Sequence, residues 1–304
     1  MKILQRMHKA LGHPRLVAVR AFSKGCRFFS EDSESYLRIY FTLNGGYRLN
    51  LGQPRTFNEK LNWMKLHYHN PLLPKLADKY AVKAFVSERI GAEYVVPCLG
   101  VWDSAGDIDF DALPGRFVLK CTHDSGGVFV CKDRAAFDKA GAVRQIGRKL
   151  RRNYYPPLRE WVYKDIPPRV LADQFMDDGH EGVLLDYKFW CFGGVPRYMY
   201  ITVKNDDVFE NFYDMDFNPV AIDHGFRRME PEFEKPRSFD LMKELAAMLS
   251  AGLPFVRVDF FEIGGKPYFG EFTFYDWGGM QPFGTYGQDL ELGNLLSLPS
   301  DYVL

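Results

Sequence analysis

The sequence FVRVDFFEIGGKPYFGEFTF, residues 255–274, decides the fold because it alternates like two strands joined at a glycine pair. In its first half the apolar residues Val256 and Val258 alternate with Arg257 and Asp259. Successive side chains of a strand point to opposite faces of a sheet. The pattern therefore predicts a hairpin with one packed face and one polar face. We predict strands at 255–263 and 266–274.

The register of this hairpin decides whether its acidic residues meet. A two-residue turn at Gly264-Gly265 would place Asp259 opposite Gly270, whereas a three-residue loop at 264–266 places Asp259 opposite Glu271. The longer loop also puts the apolar even-numbered residues on the packed face. Pattern and chemistry both favour the three-residue loop.

A facing pair of Asp259 and Glu271 would be a cation site. Two carboxylates about 5 Å apart at their Cβ atoms repel each other unless a cation lies between them. Magnesium suits such a site, since it uses one or two carboxylates and takes its remaining ligands from water and phosphate. The same register sets Arg257 opposite Thr273. From the pattern alone, an ordinary surface cluster of ion pairs among Arg257, Asp259 and Glu271 explains the residues equally well.

Upstream of the hairpin, glycine turns separate further strands, and helices lie between them. Thr56, followed three residues later by Glu59, has the spacing of a capping box and predicts a helix start. We predict further helices at 76–90, 134–152 and 239–251. We predict further strands at 116–121, 128–131, 170–176, 182–192 and 197–204. This order is typical of an α+β fold with antiparallel sheets rather than of a doubly wound parallel sheet.

Two further groups of residues could bind phosphate or ribose. Lys120 ends an apolar strand six residues before Gly126-Gly127, and the backbone amides of such a turn can approach a phosphate closely. Asp186 and Lys188 share one face of a strand. Taken alone, each group is more often a hairpin turn or a solvated ion pair.

The composition limits the kinds of partner. Lysine plus arginine and aspartate plus glutamate both number 39 in 304 residues, so the formal net charge is zero and no overall field attracts nucleic acid. No apolar run has the length of a membrane span. The five cysteines lack metal-ligand spacing and resemble reduced thiols. These features predict a cytoplasmic protein without a nucleic-acid partner.

The N-terminal segment is locally basic. Before the first acidic residue, Glu31, the segment contains Lys2, Arg6, Lys9, Arg15, Arg20, Lys24 and Arg27. Such a segment could contact an anionic membrane surface or an acidic partner. The alternative is a basic helix that lies over the domain or a frayed terminus.

The order of these motifs resembles the ATP-grasp superfamily. Over about 37–285 the chain looks like the TupA-like branch, named for teichuronopeptide biosynthesis, in the segments TFNEKL (56–61), DKY (78–80), FVLK (117–120), HDSGG (123–127), DYKF (186–189) and FGEFTF (269–274). The resemblance implies an ATP-grasp fold, in which two α+β subdomains with antiparallel sheets clasp ATP after a helical N-terminal segment. It implies ATP and Mg²⁺ as cofactors.

The resemblance also implies a division of the chain. We expect a basic, mostly helical segment at 1–55, a helical part of the ATP-grasp unit at 56–115, a nucleotide-lid subdomain at 116–176, a second subdomain with the metal hairpin at 177–285, and a tail at 286–304.

Nucleotide-binding residues follow from the resemblance position by position. Lys120, together with Lys83 or Lys79, resembles the lysines on the phosphates, and the turn with Ser125, Gly126 and Gly127 resembles the mobile phosphate lid. The residues that resemble the adenine hinge are Asp173, Gln174, Phe175 and Met176. Asp186 resembles the residue near the ribose.

The resemblance implies metal and catalytic residues as well. Asp259, Glu271 and Thr273 correspond to the metal ligands, although the superfamily usually has asparagine where this chain has Thr273. The hinge also departs from the usual acidic pair, since Gln174 follows Asp173. The catalytic set that the resemblance implies is Arg257, facing the transferred phosphoryl group, with Lys188 and His123.

The activity implied is that of an ATP-dependent carboxylate–amine ligase. A substrate carboxylate attacks the γ-phosphate, and an amine then converts the acyl phosphate to an amide. Proteins of this branch look like enzymes of surface-polysaccharide assembly, in the capsule or cell wall. The substrates implied are therefore a uronic acid and an amino acid or other amine.

Two other functions remain open at this point. Asp-x-Asp spacings at 107–109, 109–111 and 214–216 could hold a metal on a nucleotide sugar, as in metal-dependent glycosyltransferases. Gly106 and Pro219 beside these pairs favour polar loops instead. A non-catalytic protein that kept the fold is the third hypothesis.

Overall fold

The strands form two sheets. The computed structural model describes residues 14–25, 29, 33–177, 184–204 and 207–302. The strands are β1 Cys98–Trp102, β2 Phe117–Cys121, β3 Val128–Cys131, β4 Val170–Gln174, β5 Tyr187–Phe192, β6 Val195–Lys204, β7 Val208–Tyr213, β8 Pro219–Val220, β9 Phe255–Ile263 and β10 Lys266–Thr273. A four-stranded sheet has the order β1-β4-β2-β3, and a six-stranded sheet has the order β10-β9-β5-β6-β7-β8. Neighbouring strands pair antiparallel throughout, which confirms the predicted α+β class.

Helices and short 3₁₀ turns connect these strands. The helices are α1 Pro14–Lys24, α2 Ser33–Leu43, α3 Phe57–His67, α4 Leu72–Ala77, α5 Ala81–Ile90, α6 Lys139–Leu150, α7 Tyr155–Leu158, α8 Phe239–Ser250 and α9 Tyr286–Leu295. The 3₁₀ turns are Ala92–Tyr94, Ala105–Asp107, Trp161–Tyr163 and Asp276–Gly279. α3 begins with the predicted capping box of Thr56 and Glu59. Over the described ranges, no helix is long and apolar enough to cross a membrane.

The helix predicted at 76–90 is interrupted, because Asp78 caps its second half. Asp78 has an extended backbone, and its Oδ1 accepts hydrogen bonds from the N–H groups of Tyr80 and Ala81 at 2.8 and 3.2 Å. A side chain that binds these N–H groups competes with continuation of the preceding helix. Asp138 caps α6 in the same way, so that helix begins at Lys139 instead of 134.

Burial along β2 explains how Lys120 reaches a cavity. Phe117, Leu119 and Cys121 are fully buried in a core that includes Ile146 of α6, whereas Lys120 between them is partly exposed. Fully burying an apolar side chain of this size contributes about 1.5–3 kcal/mol. The alternation therefore holds the strand in one orientation and leaves Lys120 on the face opposite the core.

A third cluster, separate from the cores of the two sheets, attaches α2 to the rest of the protein. Tyr36, Leu37 and Phe41 pack with Leu49 and Met280. This contact brings the N-terminal helices beside the cavity described below. Several predictions fall outside the described residues, namely Lys2, Arg6, Lys9, Arg27 and positions 182–183 of the strand predicted at 182–192.

The closing hairpin has a two-residue turn, which corrects the predicted three-residue loop. Lys266 pairs with Ile263, so it belongs to β10. Gly264 and Gly265 have φ angles of +58° and +79°. Positive φ at both central positions is characteristic of a tight turn that matches the twist of its strands. By itself this turn would send the two acidic residues to opposite faces.

A β-bulge at Gly270 restores the predicted pairing. The register shifts between Phe269 and Glu271, so Asp259 lies opposite Glu271. A Cβ atom on Gly270 would lie 3.1 Å from the carbonyl oxygen of Asp259, closer than ordinary contact. Phe269 pairs with Phe260 and is buried on the apolar face of the sheet, opposite the face that carries Asp259 and Glu271. The bulge thus brings the acids together while keeping the apolar residues packed.

Candidate active site

A cavity of about 770 Å³ is lined by residues of both sheets. Most of the predicted site residues line it, and they are Lys79, Lys83, Lys120, Ser125, Gly126, Asp173, Asp186, Lys188, Arg257, Asp259, Glu271 and Thr273. The predicted residues His123, Gly127, Gln174, Phe175 and Met176 are not among its lining residues. A volume of this size is in the range of small-molecule and cofactor sites.

Beside the four-stranded sheet, Lys120 of β2 and Lys83 of α5 share the buried carboxylate of Asp173. Lys83 Nζ lies 2.8 Å from Asp173 Oδ1, and Lys120 Nζ lies 2.9 Å from Asp173 Oδ2. Lys83 also donates a hydrogen bond to the carbonyl of Val96 at 2.7 Å. Two ammonium groups around one carboxylate leave a net positive charge. This wall of the cavity therefore favours an anion such as a phosphate.

On the six-stranded sheet, Arg257 binds three carboxylates. Its Nε and Nη2 donate to the two oxygens of Asp259 at 2.7 and 2.6 Å, which is a bidentate pair. Its Nη1 donates to Asp276 at 2.6 Å, and its Nη2 lies 3.2 Å from Glu271 Oε1. The cation between the facing acids is thus Arg257 itself. β9 is buried from Phe255 to Phe260. These ion pairs are therefore not the ordinary surface cluster that the sequence pattern left open.

Burial and charge act in opposite directions on these groups. Burial raises the pKa of Asp259, and the charges of Arg257 and Lys188 act against that rise. Burial acts to lower the pKa of Arg257, but the surrounding groups, Asp259 first, raise it well above its ordinary value. Arg257 therefore stays cationic at any physiological pH.

Lys188 extends the charged cluster towards the predicted ribose side. Its Nζ lies 2.9 Å from Asp186 Oδ2 and 3.6 Å from Asp259 Oδ2. Lys188 is buried, whereas the Asp186 carboxylate is exposed. The predicted Asp-x-Lys pair therefore faces the cavity as a unit, with Lys188 between an exposed and a buried carboxylate.

The oxygen donors on this face fit a divalent cation that completes its shell with phosphate and water. Asp259, Glu271 and Thr273 all line the cavity, and Thr273 Oγ1 lies 3.4 Å from Glu271 Oε1. Within the described part of the chain, no group of three or more His, Cys, Asp or Glu side chains could hold a metal on its own. Magnesium suits such a sparse set because it binds through one or two carboxylates plus phosphate.

The glycine turn after β2 is held at both ends. Gly127 O accepts a hydrogen bond from Cys121 N–H at 3.0 Å, and Lys149 pairs with Asp124 at 2.9 Å. Between these anchors Gly126 has a φ of +80°, with nothing within 4 Å of its Cβ position. The tip with Ser125 and Gly126 faces the cavity, while Gly127 belongs to the anchored base.

His123 lies away from the lining of the cavity, and its catalytic role stays a prediction. Its Nε2 lies 3.3 and 3.1 Å from the carbonyl oxygens of Lys149 and Arg152, near the end of α6. Terminal helix carbonyls lack partners within the helix, and a buried side-chain donor satisfies them. The position of His123 fits a structural role in the lid.

Of the predicted hinge residues, only Asp173 lines the cavity, and the residues after it make other contacts. The backbone N–H of Gln174 donates to Pro97 O at 3.0 Å. The guanidinium of Arg116 lies 4.1 Å from the ring centre of Phe175. The contact of Gln174, Phe175 and Met176 with adenine stays a prediction.

The Asp-x-Asp pairs stabilise turns. Asp109 Oδ1 accepts the N–H groups of Asp111 and Ala112 at 3.1 Å each. Asp214 Oδ1 accepts those of Asp216 and Asn218 at 2.9 and 2.8 Å. Such contacts are typical of Asx turns, and none of these acids lines the cavity.

Sequence reasoning missed several cavity residues that lie outside the strands. Trp277 and Gly278 line it from the turn after β10, and Glu160 and Tyr163 line it from the segment after α7. The run DWGG after the acidic strand was the available signal for the turn, since paired glycines mark special backbone angles. Glu160 has no local pattern to distinguish it.

The chain matches a family model described as TupA-like ATPgrasp over residues 59–297. The fold and site thus define a protein of the ATP-grasp class. The chain belongs to the TupA-like ATP-grasp family. ATP-grasp proteins are ATP-dependent ligases that form carbon–nitrogen bonds and use ATP and Mg²⁺. No protein of curated function matches the chain in sequence.

Solved structures of ATP-grasp ligases are distantly similar to the chain. D-alanine–D-alanine ligase from Bacillus anthracis complexed with ATP has 14% identity over 65% of this chain and 53% of the ligase, with a TM-score of 0.37. D-cycloserine synthetase DcsG has 17% identity over 74% of this chain and 70% of its own, with a TM-score of 0.40. ATP-grasp ligase PsnB complexed with a precursor peptide and AMPPNP has 11% identity over 68% and 52%, with a TM-score of 0.37. The chain spans about half the length of the first and third of these proteins.

Proposed function

We propose that this protein is an ATP-dependent carboxylate–amine ligase. It joins an amino acid or other amine to the carboxylate of a uronic acid, through an acyl phosphate, in the biosynthesis of a surface polysaccharide. The observation that carries the proposal is the meeting in one cavity of the Lys83–Lys120 wall and the Arg257–Asp259–Glu271 cluster. The first wall suits a polyphosphate, and the second, with three carboxylates around one guanidinium, suits a cation that binds the transferred phosphoryl group.

The lysines hold the nucleotide by charge. Lys83 and Lys120 are fixed by Asp173, so they present positive charge without needing to be ordered when the phosphates bind. Lys188 lies on the opposite sheet and spreads the charge of the same phosphates. Ser125 and Gly126 at the tip of the turn close over them, as backbone N–H groups in such turns bind anions.

Asp259, Glu271 and Thr273 would hold the magnesium ion. When bound, the ion neutralises the charge that develops on the transferred phosphoryl group. Arg257 contributes to the same end from a fixed position, because Asp276 and Asp259 bind its guanidinium from two sides. Fixed charges need no reorganisation during the reaction, which is the main source of catalysis in phosphoryl transfer.

The polysaccharide role rests on the branch to which the family belongs, since TupA-like proteins are named for teichuronopeptide biosynthesis. We propose the amine and the uronic acid as substrates on the same basis. A contact of the basic N-terminal segment with an anionic membrane surface would place the enzyme near lipid-linked or exported polymers.

The test is ADP release by the purified protein with ATP and Mg²⁺. Glucuronic acid and UDP-glucuronic acid serve as carboxylates, and a panel of amino acids serves as amines. We expect ADP release that requires both a carboxylate and an amine, and formation of a product with the mass of the amide. ADP release that is independent of both would contradict the proposal. UDP release from the nucleotide sugar without ATP would support the glycosyltransferase hypothesis instead.

A further inference from the structure

Glu160 is a buried carboxylate without a hydrogen-bond or ion-pair partner among the described residues. It lines the cavity and is only 6% exposed. Its carboxylate makes no hydrogen bond or ion pair to any residue in the described ranges. A buried charge without a hydrogen-bond partner is costly, so a cationic ligand that bound these oxygens would stabilise the charged form.

Lys65 is the nearest explanation for this charge, but it is bound elsewhere. Its ammonium donates to Asn62 Oδ1 at 3.1 Å and to the carbonyl of Gly278. Lys65 attracts Glu160 through space without meeting its oxygens within ion-pair distance. Burial raises the pKa of Glu160 to about 7, and the Lys65 charge opposes the rise. The Lys65 charge stabilises the ionised carboxylate of Glu160, and the oxygens of Glu160 can still accept hydrogen bonds.

Aromatic rings line the same cavity as Glu160. Tyr154 and Tyr163 line the cavity with ring centroids 5.1 Å apart and planes at 81°. Tyr275 and Trp277 also line it. Aromatic faces attract cations, and an acid beside such rings is a typical site for an ammonium group. A carboxylate substrate would be repelled from the same position.

The turn at 276–279 keeps the space beside Glu160 open. Gly278 has a φ of +64°, and a Cβ atom there would lie 2.7 Å from Leu158 Cδ1 and 3.5 Å from Glu160 Oε1. Trp277 precedes it with a φ of +45°, and its indole N–H donates to Glu210 at 3.0 Å. A side chain at 278 would therefore collide with Leu158 and contact the Glu160 carboxylate.

Glu160 lies close enough to Arg257 to interact with it electrostatically, which connects the space beside Glu160 with the proposed reaction site. After Lys65, the charges that act on Glu160 are those of Arg257, Glu271 and Asp276, the cluster assigned above to the phosphoryl group. We propose that Glu160, walled by Tyr154 and Tyr163, is the subsite that binds the ammonium group of the amine substrate. This inference rests on the proposed ligase function. In that function, the negative charge of Glu160 would select the amine substrate.

The test uses binding, so it does not depend on turnover. Saturation-transfer NMR on the full-length protein measures the affinity for n-butylammonium, with n-butanol as the uncharged probe of equal shape. We expect the wild type to bind n-butylammonium and not n-butanol, and Glu160→Gln to weaken the ammonium by about tenfold or more. Glu244→Gln, at an exposed position of α8, serves as the control and should bind like the wild type.

A second variant tests the aromatic wall. Tyr163→Leu leaves the carboxylate in place and should weaken n-butylammonium by about threefold or more. Thermal unfolding of each variant shows whether it is folded. If the wild type does not bind the ammonium probe, or a folded Glu160→Gln binds it equally well, the subsite is wrong. Ammonium binding without any ADP release would refute the ligase proposal and leave the subsite intact.

Discussion

Arg257 occupies both oxygens of the Asp259 carboxylate, through hydrogen bonds of 2.7 and 2.6 Å from Nε and Nη2. This contact means that a magnesium ion at Asp259 would share the carboxylate with a buried guanidinium. Glu271 differs, because its side chain is 39% exposed and Arg257 approaches only one of its oxygens, at 3.2 Å. The two predicted metal ligands should therefore respond differently to substitution.

Glu271→Gln should strongly reduce activity without unfolding the protein. Removal of a half-exposed carboxylate changes stability by no more than about 0.5 kcal/mol, but it removes a ligand for the ion, at a cost of about 100-fold or more in kcat. Raising the Mg²⁺ concentration should restore part of the activity. ADP release as a function of Mg²⁺, with thermal unfolding in parallel, checks this. Full activity at low Mg²⁺ would refute the metal assignment.

Asp259→Asn should lose both activity and stability. It leaves Arg257 without its bidentate partner, although Asp276 still binds Nη1. Breaking a buried ion pair typically costs about 3–5 kcal/mol, and we expect the free energy of unfolding to fall by nearly that amount. Chemical denaturation measures it, with Glu271→Gln as the matched comparison. Equal stability of the two variants would contradict the central role of the Arg257–Asp259 pair.

Lys120→Gln should raise KM for ATP and leave KM for the amine unchanged. Lys120 faces the cavity from the four-stranded sheet, where loss of its charge weakens a phosphate contact by about tenfold or more. Lys132→Gln, at an exposed position after β3, is the control for a general charge effect. Steady-state ADP release with each substrate varied in turn distinguishes the cases. An increase confined to the amine KM would contradict the assignment to phosphate.

The predicted elements that matched the structure were those with a local cause. The strand at 116–121 was predicted from its own apolar run, and the burial of Phe117, Leu119 and Cys121 agrees with it, although the direction of Lys120 was not predicted. The Thr56–Glu59 capping box is likewise complete within four residues. The helix at 76–90 was predicted wrongly because Asp78 is compatible with either a helix or a cap, and its neighbours decide between the two.

The pairing of Asp259 with Glu271 was predicted correctly, but the loop length from which it was predicted was wrong. Alternation required Asp259 and Glu271 on one face, and a longer loop was one way to achieve this. The actual cause is the bulge at Gly270, which depends on how closely β9 and β10 approach. Glu160 was missed for a similar reason, since its burial beside Lys65 arises from segments that are distant in sequence.

Gly270→Ala should displace Asp259 and reduce activity. The added Cβ would lie 3.1 Å from the carbonyl oxygen of Asp259 and 3.4 Å from its Cβ. Overpacking of this kind costs about 1–3 kcal/mol, and a displaced carboxylate misaligns Arg257. Thermal unfolding and kcat measure both effects.

Gly147→Ala is the matched control for this substitution. Gly147 lies within α6 with nothing within 4 Å of its Cβ position. Alanine should therefore stabilise that helix by up to about 1 kcal/mol and leave activity unchanged. A Gly270→Ala variant that is as stable and active as Gly147→Ala would show that the bulge does not position Asp259.

The amine KM should rise as the pH falls through neutrality. Burial raises the pKa of Glu160 to about 7, so its carboxylate is charged above that pH and neutral below it. Only the charged form attracts an ammonium group, and affinity should fall by about tenfold per pH unit below the pKa. Burial lowers the pKa of Lys65 to about 7. Loss of the Lys65 proton at higher pH removes a competing cation and acts in the same direction.

The other groups near Glu160 are charged side chains and phenols. The groups that act on Glu160 or are acted on by it are Lys65, Arg257, Glu271, Asp276, Tyr154, Tyr163 and Tyr275. Burial raises the pKa of each of the three tyrosines, so they stay neutral. The ratio of amine KM values between Glu160→Gln and the wild type cancels the titration of the amine itself. That ratio should be large above neutrality and approach one below it, whereas a constant ratio would show that Glu160 does not titrate in the free enzyme.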